Sequence, residues 1–181
     1  VGSEMCIRDR LWNSYVCIHM KSIIIFRHGK SDWDATYGRD HDRPLSKRGF
    51  KAAIKMGKYL NTINQIPDQV ISSSATRTKN TAELAIKHGN WNSKYSIESK
   101  IYGGSSETLL ELVHLLDNEV NSICLVGHEP TCSSFISLCT FHSQRFTTAS
   151  MAKINFKNDR WNKIEFGKGS LEWIKSPKEI I

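Results

Sequence analysis

Short β-branched apolar runs alternate with amphipathic stretches from Ser22 onward, and this alternation limits the possible folds more than any other feature of the chain. Ile23-Ile24-Ile25-Phe26 is continuous and apolar, as expected of a strand covered on both faces. After a polar loop, Ser46 stands at an N-cap position, and Phe50, Ala53, Ile54, Gly57 and Leu60 recur at helical spacing. Val70-Ile71 gives a second strand, and Ala75 to His88 a helix closed by Gly89. Leu109 to Leu116 reads as a third helix, capped by Ser105 or Ser106, and Ile123 to Val126 as another buried strand. Thr131 to Cys139 follows as a helix with Cys132, Phe135, Ile136 and Cys139 on one face. Beyond it, Ala152, Ile154 and Phe156 alternate, Asn158-Asp159 marks a turn, and Ile164 to Phe166 and Leu171 to Ile174 read as further strands. This order predicts one α/β domain over residues 20–181, a single sheet with helices on both faces.

Residues 1–19 show neither period nor the apolar core of a secretory signal, and are expected to be a leader, non-native or disordered, with Met20-Lys21 starting the domain. Lys and Arg total 25 against 18 Asp and Glu, a net charge of +7. The cations are spread along the chain without a basic block, which points to anionic substrates rather than nucleic acid. No apolar stretch approaches the ~20 residues of a membrane helix, so no membrane partner is expected. Cys124, Cys132 and Cys139 sit among apolar residues at no metal-ligand spacing, which reads as reduced packing cysteines and a cytoplasmic setting. His28, His41, His88, His128 and His142 form no paired ligand spacing either, so neither metal nor other cofactor is expected.

The predicted strands end in chemistry. The first runs into Arg27-His28-Gly29, the second leads through Ser72-Ser73-Ser74 to Arg77, and the Ile123 strand leads to Gly127-His128-Glu129-Pro130. Open α/β sheets bind ligands at the carboxyl ends of their strands, so these residues should meet at one edge. Taken singly, each has a bland reading as a solvated or hydrogen-bonded loop residue. Together they describe a phosphate site: guanidinium forks match phosphate oxygens, a helix start favours an anion beside Arg77, and Arg43 adds a fork from the preceding loop. A histidine among guanidiniums has its pKa lowered and is neutral at pH 7, hence nucleophilic. His28 is therefore the expected phosphate acceptor, with Arg27, Arg43, Arg77 and His128 stabilising the transferred group, and with Gly29 and Gly127 allowing close backbone approach.

These motifs resemble the histidine phosphatase superfamily, in particular its short phosphohistidine phosphatases of the SixA type, over nearly all of residues 20–181. The resemblance rests on Arg27-His28-Gly29-Lys30-Ser31, on Asp40-x-Asp42-Arg43-Pro44-Leu45-Ser46, on Ser72 to Glu83 around Arg77, and on Leu125-Val126-Gly127-His128-Glu129-Pro130. Phe146-Thr147-Thr148-Ala149 and Ser176-Pro177-Lys178-Glu179 also look like the subgroup. It implies a phosphoglycerate mutase-like fold, a three-layer α/β/α sandwich with a mostly parallel central sheet, with His28 as nucleophile in a metal-independent hydrolysis, Arg27, Arg77 and His128 as the phosphate pocket, and Arg43 and Ser31 as further binding residues. Two positions depart from the pattern. Ser74 replaces a helix-opening proline and is expected to cap, and Glu129 replaces an asparagine, where its charge should weaken phosphate binding or raise the pKa of His128.

Larger members carry a glutamate that protonates the leaving group; here the corresponding stretch holds only Glu107, whose bland reading is a helix-start residue favoured by the dipole. A missing acid suits a phosphoramidate such as phosphohistidine, whose imidazole leaves more readily than an alkoxide. The expected partner is a phosphorylated protein; a small-molecule phosphatase or mutase, and a catalytically weak phosphate-binding module, are the alternatives.

Overall fold

The computed structural model describes residues 20–180, so the leader expectation for residues 1–19 lies outside the described residues. The strands are β1 (Lys21–Arg27), β2 (Gln69–Ser72), β3 (Lys94–Ile97), β4 (Ser122–Gly127), β5 (Met151–Phe156) and β6 (Ser170–Lys175). Four helices lie between them: α1 (Lys47–Thr62), α2 (Thr76–Gly89), α3 (Ser106–His114) and α4 (Thr131–Thr140). The six strands form one sheet in the order β3-β2-β4-β1-β5-β6. β3, β2, β4 and β1 are parallel, whereas β5 and β6 are antiparallel to their neighbours, which is the α/β sandwich expected.

Alternation along the central strands sorts the core into two layers. Ile23 and Ile25 of β1 and Ile123 and Leu125 of β4 join Val113 of α3 and Phe135 and Ile136 of α4 on one face. Ile24, Phe26, Cys124 and Val126 point the other way, onto Met56 and Leu60 of α1 and Ala82 and Ala85 of α2. Because both faces are covered, these strands read as unbroken apolar runs in the sequence. Cys124, Cys132 and Cys139 are buried free thiols, raised in pKa by burial, and pack as expected.

Several local expectations need correction. The buried stripe of α1 is Gly49, Ala53, Met56, Gly57 and Leu60, while Phe50 is exposed beside it. Gly89 does not end α2 from outside; it is the last helical residue, and Asn90 adopts the left-handed cap at φ 53°. Gly89 is needed for packing, since a Cβ there would run into the Gly57 carbonyl and the Trp91 indole. Strand β3 escaped notice because it is a mostly exposed edge of sequence Lys-Tyr-Ser-Ile. Ile164 to Phe166 is not a strand, because the chain there leaves a short 3₁₀ turn, Trp161–Lys163, and buries Ile164 in irregular backbone.

Candidate active site

The order β2-β4-β1 sets the functional ends of three strands side by side. Arg27 pairs with Gly127 and Ser72 with Val126, so His28, His128 and Ser73 are the next residues off adjacent strands. The His28 N–H donates to the Gly127 carbonyl, and the Ser73 N–H to the Val126 carbonyl, which prolongs the ladder into the site. The two imidazoles lie with ring centroids 5.2 Å apart.

His28 Nδ1 is 2.6 Å from the Gly29 carbonyl oxygen. A carbonyl only accepts, so the proton sits on Nδ1 and the Nε2 lone pair is free. Burial lowers the pKa of His28 to about 4 against the pull of that hydrogen bond, and the charges of Arg77, Arg27 and Arg43 lower it further. Neutrality was the expectation; its main cause is desolvation, with the guanidiniums second. His128 is likewise lowered to about 3, by burial first and then by His28 and Arg77, and its Nε2 meets the Ser73 hydroxyl at 2.9 Å.

The arginines are held from outside. Arg27 donates through Nη1 to the Phe146 carbonyl at 2.6 Å. Arg77, in the first turn of α2, donates to the Asp40 carbonyl at 2.6 Å and to its carboxylate at 2.9 Å. The other Asp40 oxygen pairs with Arg43 Nη2 at 2.8 Å. Burial opposes ionisation of Asp40, but Arg77 and Arg43 win and hold its carboxyl below the usual carboxylate range. The cation at a helix start is thus offset by one carboxylate that clamps two forks. Trp33 stacks on the Arg43 guanidinium at 3.4 Å from its ring centre.

Six buried side-chain polar atoms among the described residues have no hydrogen-bond partner. Five belong to this cluster: Arg27 Nε, Arg43 Nε and Nη1, Arg77 Nε and His128 Nδ1. An unsatisfied buried donor costs about 1–3 kcal/mol, so a group of them is not explained by stability. Donors gathered around a neutral imidazole match the oxygens of a phosphoryl group.

The remaining expected residues divide. Gly29 donates its N–H to Thr81 Oγ1, and a Cβ there would come within 2.8 Å of the Gly49 carbonyl, so glycine is required. Gly127 has no such requirement, since a Cβ would meet only ordinary contacts at 3.5 Å. Ser31 is buried in a bridge to Leu45 and lines a cavity of about 780 Å³ beside His28. Glu107 is exposed in the first turn of α3, its carboxyl lowered by the Ser105 hydroxyl, and it does not line that cavity. Glu129 accepts from Ser133 Oγ at 2.5 Å, and His128 is lowered rather than raised, by burial first. Ser74 does not cap α2; it bonds His41 Nε2 at 2.9 Å, and Ala75 takes the cap position without a side-chain bond.

Three participants were missed. Asp40 was visible only as part of a motif, Ser73 only as one of three serines, and Tyr102 gave no signal at all. The Tyr102 hydroxyl donates to Asp40 at 3.3 Å, and its ring stands edge-on to His128 with centroids 5.5 Å apart. The cavity and the histidine pair overlap in Arg27, His28 and Arg43, while Arg77 and His128 lie outside the cavity lining.

The profile of the histidine phosphatase superfamily (branch 1) matches residues 23–100. An uncharacterised Mycobacterium tuberculosis protein is 28% identical over 163 residues, covering 84% of this chain and 99% of the relative. A 2,3-bisphosphoglycerate-dependent phosphoglycerate mutase from Mycobacterium leprae is 33% identical over 72 residues, 39% of this chain and 29% of the mutase. Among solved structures, the protein histidine phosphatase SixA complexed with tungstate superposes with a TM-score of 0.76 at 24% identity, covering 88% of this chain and 99% of that one.

Proposed function

We propose that the chain is a member of the histidine phosphatase superfamily, whose profile matches residues 23–100, and that it hydrolyses protein-borne phosphohistidine through a phosphorylated His28, without a metal. The observation that carries this reading is His28 itself, uncharged, with Nδ1–H fixed on the Gly29 carbonyl and Nε2 free beside the unpartnered donors.

In the first step Nε2 attacks phosphorus in line. The new P–N bond forms as the P–N bond to the substrate imidazole breaks, and the departing imidazole takes a proton from solvent. The phosphorylated ring keeps its Nδ1 proton against Gly29. Charge on the equatorial oxygens is met by Arg27, Arg43 and Arg77, with His128 donating if its Nδ1 holds the proton. In the second step water attacks phosphorus, the bond to Nε2 breaks, the proton of the water passes to solvent, and inorganic phosphate leaves.

The protonation inventory supports a phosphoramidate substrate. Glu107 is exposed with its carboxyl lowered by the Ser105 hydroxyl, Glu129 is held by Ser133, and Asp40 is kept ionised by two guanidiniums, so none is poised to protonate an alkoxide. Exposed Lys30, Arg48 and Arg145 leave the cavity side open, which favours water entry over the retention a mutase needs. Brief reaction with radiolabelled phosphoramidate should leave an acid-labile label on His28, and His28→Ala should abolish it and lower kcat by roughly a thousandfold or more. A wild-type protein that turns over with no such label, or a labelled and active His28→Ala, overturns the reading.

A further inference from the structure

The cavity beside His28 carries more positive charge than the reaction uses. Its lining includes Arg27, Lys30, Arg43, Arg48, Arg145 and Lys178, and no Asp or Glu. A transferred phosphoryl dianion is met by Arg27, Arg43 and Arg77, with Asp40 offsetting one charge. Lys30, Arg48, Arg145 and Lys178 remain. Among the described residues, none of these four has a carboxylate within ion-pair distance or a side-chain hydrogen bond of its own.

The four come from separate parts of the chain: the loop after β1, the first turn of α1, the loop before β5, and the turn after β6. Their convergence on one concave surface is therefore a product of the fold. Like charges brought together cost stability, and an exposed pair of opposite sign would have been available at little cost. Concave surfaces lined by one sign of charge concentrate the opposite sign of ligand. The volume, about 780 Å³, exceeds what a phosphoryl group fills.

We propose that this cavity is a second anion subsite, so that the preferred substrate carries a carboxylate or phosphate besides the phosphoryl group delivered to His28. This deepens the phosphatase reading above and rests on it. The anionic group comes either from acidic residues flanking the phosphohistidine in a protein or from a second phosphate on a small molecule, and the same four cations serve both.

The test compares two pairs of substrates: phosphohistidine peptides with acidic or neutral flanks, and a hexose bisphosphate or the monophosphate. We expect at least a tenfold preference in kcat/KM for the more anionic member of one pair, weakening as salt is raised. The pair that shows it identifies the source. Arg48→Ser with Lys178→Ser, and separately Lys30→Ser with Arg145→Ser, should reduce the preference severalfold while leaving turnover of phosphoramidate near wild type. Phosphoramidate turnover also shows that each variant is folded. Discrimination below twofold in both pairs, or a preference unchanged in both variants, overturns the subsite. If phosphoramidate itself is not hydrolysed, the phosphatase reading falls alone. The subsite is then judged by titration with the unphosphorylated acidic peptide and the hexose bisphosphate, whose binding the variants must weaken.

Discussion

His28 and Asp40 show how single residues in this site are set by their neighbours. His28 is kept uncharged by burial, and one carbonyl holds its proton on Nδ1 and leaves Nε2 free. Asp40 is made a clamp by two guanidiniums that keep it ionised, and by using Arg77 Nη1 and Nη2 and Arg43 Nη2 it leaves their Nε atoms and Arg43 Nη1 free. Asp40→Asn keeps the shape and removes the charge. We expect kcat/KM on phosphoramidate to fall about tenfold, through lost orientation of both forks, with His28 labelling retained but slower. Unchanged kinetics would show that Arg43 and Arg77 need no clamp. The role of Arg27, His28, Arg77 and His128 as candidates was legible from their places after strands, whereas Tyr102 was not, because an aromatic in a loop has no spacing that marks it.

At the level of elements, α1 packs closely against α2, the helix whose first turn carries Arg77. Gly57 and Gly89 let the helices approach backbone to backbone, and the Trp91 indole N–H donates to the Gly57 carbonyl at 3.0 Å. A Cβ at Gly57 would fall on the Ala85 carbonyl, which is backbone and cannot move aside alone. Alanine in a helix interior gains about 1 kcal/mol over glycine, but overpacking against backbone costs more. Gly57→Ala should therefore lower unfolding free energy by about 2 kcal/mol, measured by urea denaturation. A neutral or stabilising result would mean the helices separate freely. The helical period in α1 was legible, but the choice of Met56 over Phe50 for the interior was not, since both lie at the border of the apolar stripe and only the position of α2 separates them.

For the whole molecule, two histidines buried without charge make stability depend on pH. Their folded pKa values, about 4 for His28 and about 3 for His128, lie below the unfolded value of 6.5. Below pH 6.5 the unfolded chain therefore binds protons that the folded protein refuses, so the contribution is complete above that pH and is lost as pH falls toward 4. Between pH 7 and pH 5 we expect a loss of about 2 kcal/mol per histidine, and less in His28→Ala, read from urea midpoints at the two values. A protein equally stable at pH 5 and pH 7 would show that these imidazoles are charged when folded.

Apart from the exposed edge strand β3 and the irregular segment at Ile164 to Phe166, hydrophobic period determined the α/β alternation of residues 20–180, because strands buried on both faces and helices buried on one leave different repeats in the sequence. The same pattern placed the Arg and His motifs at strand ends. Only the tertiary structure decided which ends are neighbours, through the order β2-β4-β1, and which charges meet across the chain. Asp40 on Arg77, Ser73 on His128 and four unpaired cations around one cavity are contacts between distant segments, made by packing and carrying no local signature.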